Sequence, residues 1–181
     1  MKAQLRSKNT RLDVYVEDKY GNVADIEMQT TDNKGILNYD ERDEKTVISE
    51  LPLRTRYYQN IIGTNMLRKG MHYRELKKAY VIFICTFDPY KLGLPIYHFT
   101  YRCDENRNLH MGDLTENIFL NVKAADKTDD EELAAFLRYV NKQVATTSFT
   151  KQLDKEATRI KNNDDWRTKA MTLDMEIKDM K

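Results

Sequence analysis

The sequence predicts an α/β protein: a mixed β-sheet of about five strands, crossed by one helix and followed by a helical tail. Three observations carry this. Residues 11–29 (RLDVYVED, KYG, NVADIEMQ) alternate apolar with polar residues on either side of Gly21, which is the period-2 pattern of a half-buried antiparallel hairpin. Residues 79–87 (AYVIFICTF) are almost continuously apolar, as a strand buried on both faces should be. Beyond residue 126, apolar residues recur at spacings of three and four, the period of amphipathic helices.

Taken in order, the hairpin comes first. Leu12, Val14 and Val16 share one face of its first strand, and Asp13 and Tyr15 the other. On the second strand Ala24, Ile26 and Met28 share one face, which leaves Asp25, Glu27 and Gln29 together. A turn centred near Tyr20 sets Asp13 opposite Glu27 and Arg11 opposite Gln29. Like charges so opposed have Cβ atoms about 5 Å apart and need compensation, which a divalent cation supplies. The next stretch, TTDNKGILNYDERDEK, is polar and charged and reads as a loop. From Ser49 to Leu67 a helix is expected, with Leu53, Tyr57 and Ile61 at four-residue spacing and Tyr58 and Ile62 beside them. Pro52 confines its start to Ser49–Leu51, and Gly70 suits its end.

After the buried strand at 79–87, ended by Asp88-Pro89, IYHFTYR (96–102) reads as another strand turned by DENRN. NIFLNV (117–122) completes the set. Thr128 and Glu131 have capping-box spacing ahead of Leu133, Phe136, Leu137, Val140 and Val144. Phe149, Leu153, Ala157 and Ile160 trace a second helix. Trp166, Ala170, Leu173, Ile177 and Met180 trace a third, whose pattern still runs at Lys181. The expected division is a sheet core at 1–125 and a helical region at 126–181.

The chain has 181 residues and a net charge of +1, so a nucleic-acid surface would have to be local. Its two cysteines, Cys85 and Cys103, form neither a CxxC pair nor a disulfide framework, and Cys85 reads as a core residue. No apolar run reaches the ~20 residues of a membrane span, and the first ten residues lack the apolar core of a secretion signal. No membrane partner and a cytoplasmic location are therefore expected. His72, His98 and His110 lack zinc-ligand spacing. There is no glycine-rich phosphate loop and no GxSxG.

What remains is Asp13, Glu27 and Gln29. Carboxylates on adjacent strands suit Mg²⁺ or Mn²⁺, and a metal so held polarises a phosphodiester and lowers the pKa of bound water. The other reading of these residues is the solvated face of an amphipathic hairpin. Residues 51–79 carry seven Arg and Lys against the single acid Glu75, with Tyr57, Tyr58 and Tyr73 interleaved. Such a cluster suits a phosphate backbone or, equally, a solvated helix face whose tyrosines pack on the sheet.

RLDVYVED with DIEMQ, then LPLRTRYYQNII, then KGMHYRELKKAYVIFI, together resemble the PD-(D/E)xK nuclease family of transposase-associated, recombination-promoting (Rpn-like) nucleases. FLRYV and DDWRTKAM resemble the family's helical tail, so the resemblance runs from about Arg11 to the end. It implies a restriction-endonuclease-like core in which Asp13 and Glu27 bind metal and Gln29 stands where the superfamily lysine stands. Arg54 or Arg56, with Tyr57, match the arginine and tyrosine pattern of the following helix and would contact phosphate. The implied activity is Mg²⁺- or Mn²⁺-dependent DNA endonuclease cleavage in transposition or recombination. The alternative is an inactive remnant that binds DNA or protein. A neutral amide at Gln29 cannot supply lysine's positive charge to the transition state, so an arginine of the following helix is the candidate substitute. Family members carry a helix and a strand before the Asp strand, where this chain has about ten residues. A chain shortened at both ends is therefore expected, with an open sheet edge that leaves room for a homodimer.

Overall fold

A computed structural model of the protein describes residues 14–32, 34–38, 45–67 and 69–162. The chain divides between Ala124 and Ala125 into two compact units. The first is the sheet unit. Strands β1 (Val14–Glu17) and β2 (Val23–Gln29) form the expected antiparallel hairpin, with Val14 opposite Ile26 and Tyr15 opposite Asp25. Asp18 builds the turn: its carboxylate accepts from the backbone N–H groups of Tyr20 and Asn22 at 2.8 and 2.9 Å. Gly21 closes it at a φ of +81°, which costs glycine nothing. The expected pairings of Arg11 and Asp13 fall outside the described residues.

The stretch expected to be a loop instead holds two strands. β3 (Lys34–Asn38) and β4 (Lys45–Ser49) pair antiparallel as a separate two-stranded sheet, with Ile36 opposite Val47. The apolar runs are only two residues long (Ile36-Leu37, Val47-Ile48), too short to stand out from the charged residues between them.

Helix α1 (Leu51–Met66) follows, with Pro52 in its first turn, where a missing N–H costs nothing. Its buried residues are Leu51, Thr55, Tyr58 and Ile62. The stripe expected through Leu53 and Tyr57 is exposed, and Ile61 is partly buried. Apolar side chains lie on three sides of this helix, so spacing alone left the inward face ambiguous by one position.

Strand β5 (Ala79–Cys85) returns parallel to β2, making α1 the crossover of a βαβ unit. β7 (Thr115–Asn121) lies parallel to β5, and β6 (Ile96–Phe99) pairs antiparallel with β7. The order is β1-β2-β5-β7-β6, a mixed five-stranded sheet with the apolar β5 in the middle. β5 is fully buried on one face (Ala79, Val81, Phe83, Cys85), while Tyr80 and Ile82 on the other are half-buried.

β2 is buried the wrong way round for its polarity. Val23, Asp25, Glu27 and Gln29 face α1 and are buried, whereas Ala24 and Ile26 are half-buried and Met28 is exposed. Val14 and Val16, paired with Ile26 and Ala24, are also about half exposed. The core beneath α1 is aromatic: Phe83 stacks between Tyr58 and Phe119, with ring centroids 6.1 and 5.6 Å away. Each fully buried large side chain there contributes about 1.5–3 kcal/mol.

The second unit is helical. α2 (Glu131–Val140) is capped by Asp130, whose Oδ1 accepts from the Leu133 N–H at 3.0 Å. The expected cap Thr128 stands two residues upstream and accepts from the Asp130 N–H. Asp130 takes the role because it directly precedes a first turn rich in acids. α3 (Ser148–Lys161) is capped by the Thr147 hydroxyl, which accepts from the Thr150 N–H at 3.3 Å. Phe136 and Phe149 meet between the two helices at 6.1 Å. The third helical pattern, 166–180, lies outside the described residues. No helix among the described residues is long and apolar enough to cross a membrane.

The inward face of α1 sets a stability contrast. Ile62→Ala should cost about 2–5 kcal/mol through the cavity it leaves, and Leu53→Ala about 0.5 kcal/mol or less. Urea denaturation of both variants checks this; equal losses would place the wrong face inward.

Candidate active site

The βαβ topology drives the site together. Because β5 is parallel to β2, the connecting chain must cross back over one sheet face, and α1 lies on the face that carries Asp25, Glu27 and Gln29. Alternation along the strand puts these three side chains in a row at about 6–7 Å intervals. Asp25 is 0% exposed, Glu27 3% and Gln29 7%. Burying a carboxylate is costly unless it is paired, and for Glu27 α1 supplies the partner.

That partner is Arg54. Its Nη2 donates to Glu27 Oε2 at 2.9 Å and to the Tyr58 hydroxyl at 3.0 Å, and its Nη1 donates to Gln29 Oε1 at 2.6 Å. Tyr58 lies one helical turn further on and donates its hydroxyl proton toward the same Glu27 oxygen at 3.4 Å. The guanidinium sits 5.1 Å from the Phe83 ring centroid and 5.5 Å from that of Tyr58, cation–π distances that add to its positioning. At the far end of the row, the Gln29 amide donates to the Thr31 carbonyl at 2.6 Å, which fixes the amide so that its oxygen faces Arg54.

The electrostatics follow from this crowding. Burial raises the Tyr58 phenol above its ordinary value; Arg54 pulls it down, and Glu27 and Asp25 push it up. Burial likewise raises Tyr15, with Glu17 and Asp25 adding to it. Asp25 therefore acts on tyrosines on both sides, Tyr15 of the neighbouring strand and Tyr58 of the helix above. Cys85, at the end of β5 beside Gln29, is buried, and its thiol is pushed up to about 12, so it is no nucleophile.

Among the residues singled out from sequence, the structure brings together Glu27, Gln29 and Arg54. Arg56 and Tyr57 lie on the exposed side of α1, and the Tyr57 ring meets that of Tyr58 at 6.1 Å. Asp13 lies outside the described residues. Two members were not singled out. Asp25 was read as part of the polar face but not as a candidate, although it stands two residues before Glu27 on that face. Tyr58 sits at i+4 from Arg54, the spacing that puts it on the same helix face. Of the other basic residues of 51–79, Lys78 pairs with Glu116 at 3.0 Å, Lys69, Arg74 and Lys77 are exposed, and Arg68 lies outside the described residues.

Two carboxylates and an amide oxygen are hard donors of the type Mg²⁺ and Mn²⁺ select, so the donor chemistry fits a divalent cation. Among the described residues, no group of three His, Cys, Asp or Glu side chains is arranged to hold one.

The raised Tyr58 has a pH consequence. A phenol whose folded pKa exceeds its unfolded value contributes stability in full below about pH 10, and that contribution is lost as pH rises through the folded value. Urea midpoints should therefore fall between pH 9 and 11, and fall less steeply in Tyr58→Phe; parallel slopes would contradict the placement of this hydroxyl.

The family described as PD-(D/E)XK nuclease family transposase matches residues 1–176 of the chain. No curated protein and no solved structure matches it.

Proposed function

The chain belongs to the PD-(D/E)XK nuclease family transposases, and from that premise we propose that it is a DNA endonuclease using Mg²⁺ or Mn²⁺ at the buried row on β2. The observation that carries this is the convergence of Glu27, Gln29 and Arg54 with Asp25 beneath one helix. A solvated amphipathic face would leave these groups in water; here they are enclosed on the sheet's buried side. Asp25 and Glu27 would hold the cation, with Asp13 as the further ligand that the family motif implies. When bound, the metal supplies Lewis-acid polarisation of the phosphodiester and a more acidic water.

The chain's own residues then have distinct tasks. Arg54 presents a permanent positive charge where the superfamily lysine would, because Gln29 grips its Nη1 and Glu27 its Nη2. Gln29 is a positioning residue: both ends of its amide are committed, one to Arg54 and one to Thr31. The side chain of Arg54 is 30% exposed, so one edge of the guanidinium remains open to a phosphate. Tyr58 keeps its proton at neutral pH and holds Glu27 in place. Phe83 walls the site with an apolar ring, which strengthens every charge interaction beside it.

A second reading draws on the same ion pair. Arg54 already neutralises Glu27, so the site closes without a cation, as it would in a DNA-binding module that does not cut. Supercoiled plasmid incubated with Mg²⁺ or Mn²⁺ separates the two. The nuclease reading expects nicking that EDTA abolishes and that falls about 100-fold or more in Glu27→Gln, Asp25→Asn and Arg54→Met. Salt-dependent DNA retention with no nicking by the wild type would favour the binding module. Undiminished nicking by Glu27→Gln would overturn the assignment of this row.

A further inference from the structure

A groove of about 410 Å³ opens beside α1 over β6 and β7, and aromatic side chains make its walls: Tyr90, Phe99, Tyr101 and Phe119, with Pro52 on the helix side and Asn117 among its lining residues. Its volume lies in the ~300–1,000 Å³ range of small-ligand sites. We propose that this groove stacks an unpaired nucleobase of the DNA strand whose phosphate lies at Arg54. The inference rests on the nuclease reading for its substrate and on the groove's own geometry for the unpaired base.

Three of these four side chains form one preassembled aromatic array. Tyr90, Phe99 and Phe119 meet pairwise at centroid distances of 5.1, 5.4 and 5.7 Å. Phe119 is buried and serves as the floor, whereas Phe99 and Tyr101 are 44% and 55% exposed and can be covered by an incoming ring. The loop bearing Tyr90 is pinned by Asp88, whose carboxylate accepts from the N–H groups of Tyr90, Lys91 and Gly93 and from the Tyr97 hydroxyl. A platform fixed in this way loses little entropy when a base stacks on it.

The array is continuous with the site. Phe83 lies under Arg54 at 5.1 Å and stacks on Phe119 at 5.6 Å, so two ring contacts link the guanidinium to the groove floor. Thr55, the residue after Arg54, lines the groove. Arg56 is exposed and stands one helical turn from Pro52, so a cation flanks the aromatic wall where a backbone phosphate would run. Aromatic faces interleaved with cations are what a single strand requires. A base inside an intact duplex cannot reach such a wall without leaving its stack.

The test uses the whole chain in EDTA, so that no strand is cut, with oligonucleotides carrying 2-aminopurine, whose fluorescence is quenched on stacking. A single strand and a duplex with an extrahelical 2-aminopurine should be quenched at saturation, and a fully paired duplex should bind several-fold more weakly. Phe99→Ala and Tyr101→Ala should each weaken single-strand binding about 5- to 100-fold, while Phe99→Tyr should retain binding and quenching. Unaltered melting temperatures of the exposed Tyr101→Ala variant guard against misfolding as the cause. Equal affinity for duplex and single strand with no quenching would overturn the proposal. So would displacement of an apolar dye from the groove by apolar peptides and not by oligonucleotides. The two readings fail separately: quenching without metal-dependent nicking contradicts the nuclease but keeps the base platform, and nicking without quenching does the reverse.

Discussion

The ion pair between Arg54 and Glu27 is the contact on which the sheet unit turns. A strand that buries Asp25, Glu27 and Gln29 and leaves Met28 exposed is assembled against the hydrophobic effect. Exchanging the two faces of β2 would bury more apolar area, and a slip of one residue in its pairing would do so. What holds the polar face inward is the helix above it. Arg54 satisfies Glu27 and Gln29 at once, Tyr58 supports both it and Glu27, and Phe83 lies beneath the guanidinium. Removing one member of such a pair leaves a buried charge uncompensated, at a cost of about 3–5 kcal/mol. The arrangement gives up stability to hold acids in a low-dielectric place, which is where charge chemistry is strongest.

The aromatic core extends this logic sideways. Tyr58, Phe83 and Phe119 form a stacked row that begins under the helix and ends at an open wall of Phe99 and Tyr101. The same rings fill the core and surface as a groove, so the charged site and the aromatic wall share one rigid support. A nuclease reading needs a phosphate site, a cation site and a means of seating the strand. Under the proposed function, all three would be served from one sheet face.

Much of the sheet unit was legible in the sequence. The β1–β2 register followed from a turn centred near Tyr20 and the alternation on either side of it, and the uniform apolarity of 79–85 marked the central strand. β3 and β4 were not legible, because two apolar residues per strand vanish among charged neighbours. Within the site, Glu27, Gln29 and Arg54 were reached from spacing and from the family resemblance. Asp25 was passed over because the candidates were reached through the cross-strand pairing of Asp13 with Glu27, and Asp25 stands opposite a tyrosine, Tyr15. Tyr57 was singled out from the family's arginine and tyrosine pattern, whereas Tyr58, four residues after Arg54, is the tyrosine that bonds within the row. The inward polar face of β2 is an inversion of the kind expected where function overrides patterning.

The most direct test of the account is whether the buried acids bind a divalent cation. Titration calorimetry of Mn²⁺ into the whole chain at pH 7.5 should show saturable binding to the wild type that is lost in Glu27→Gln and in Asp25→Asn. It should survive in Leu53→Ala, on the exposed side of α1. Saturable binding that is equally strong in Glu27→Gln would contradict the claim that this face of β2 is the cation site.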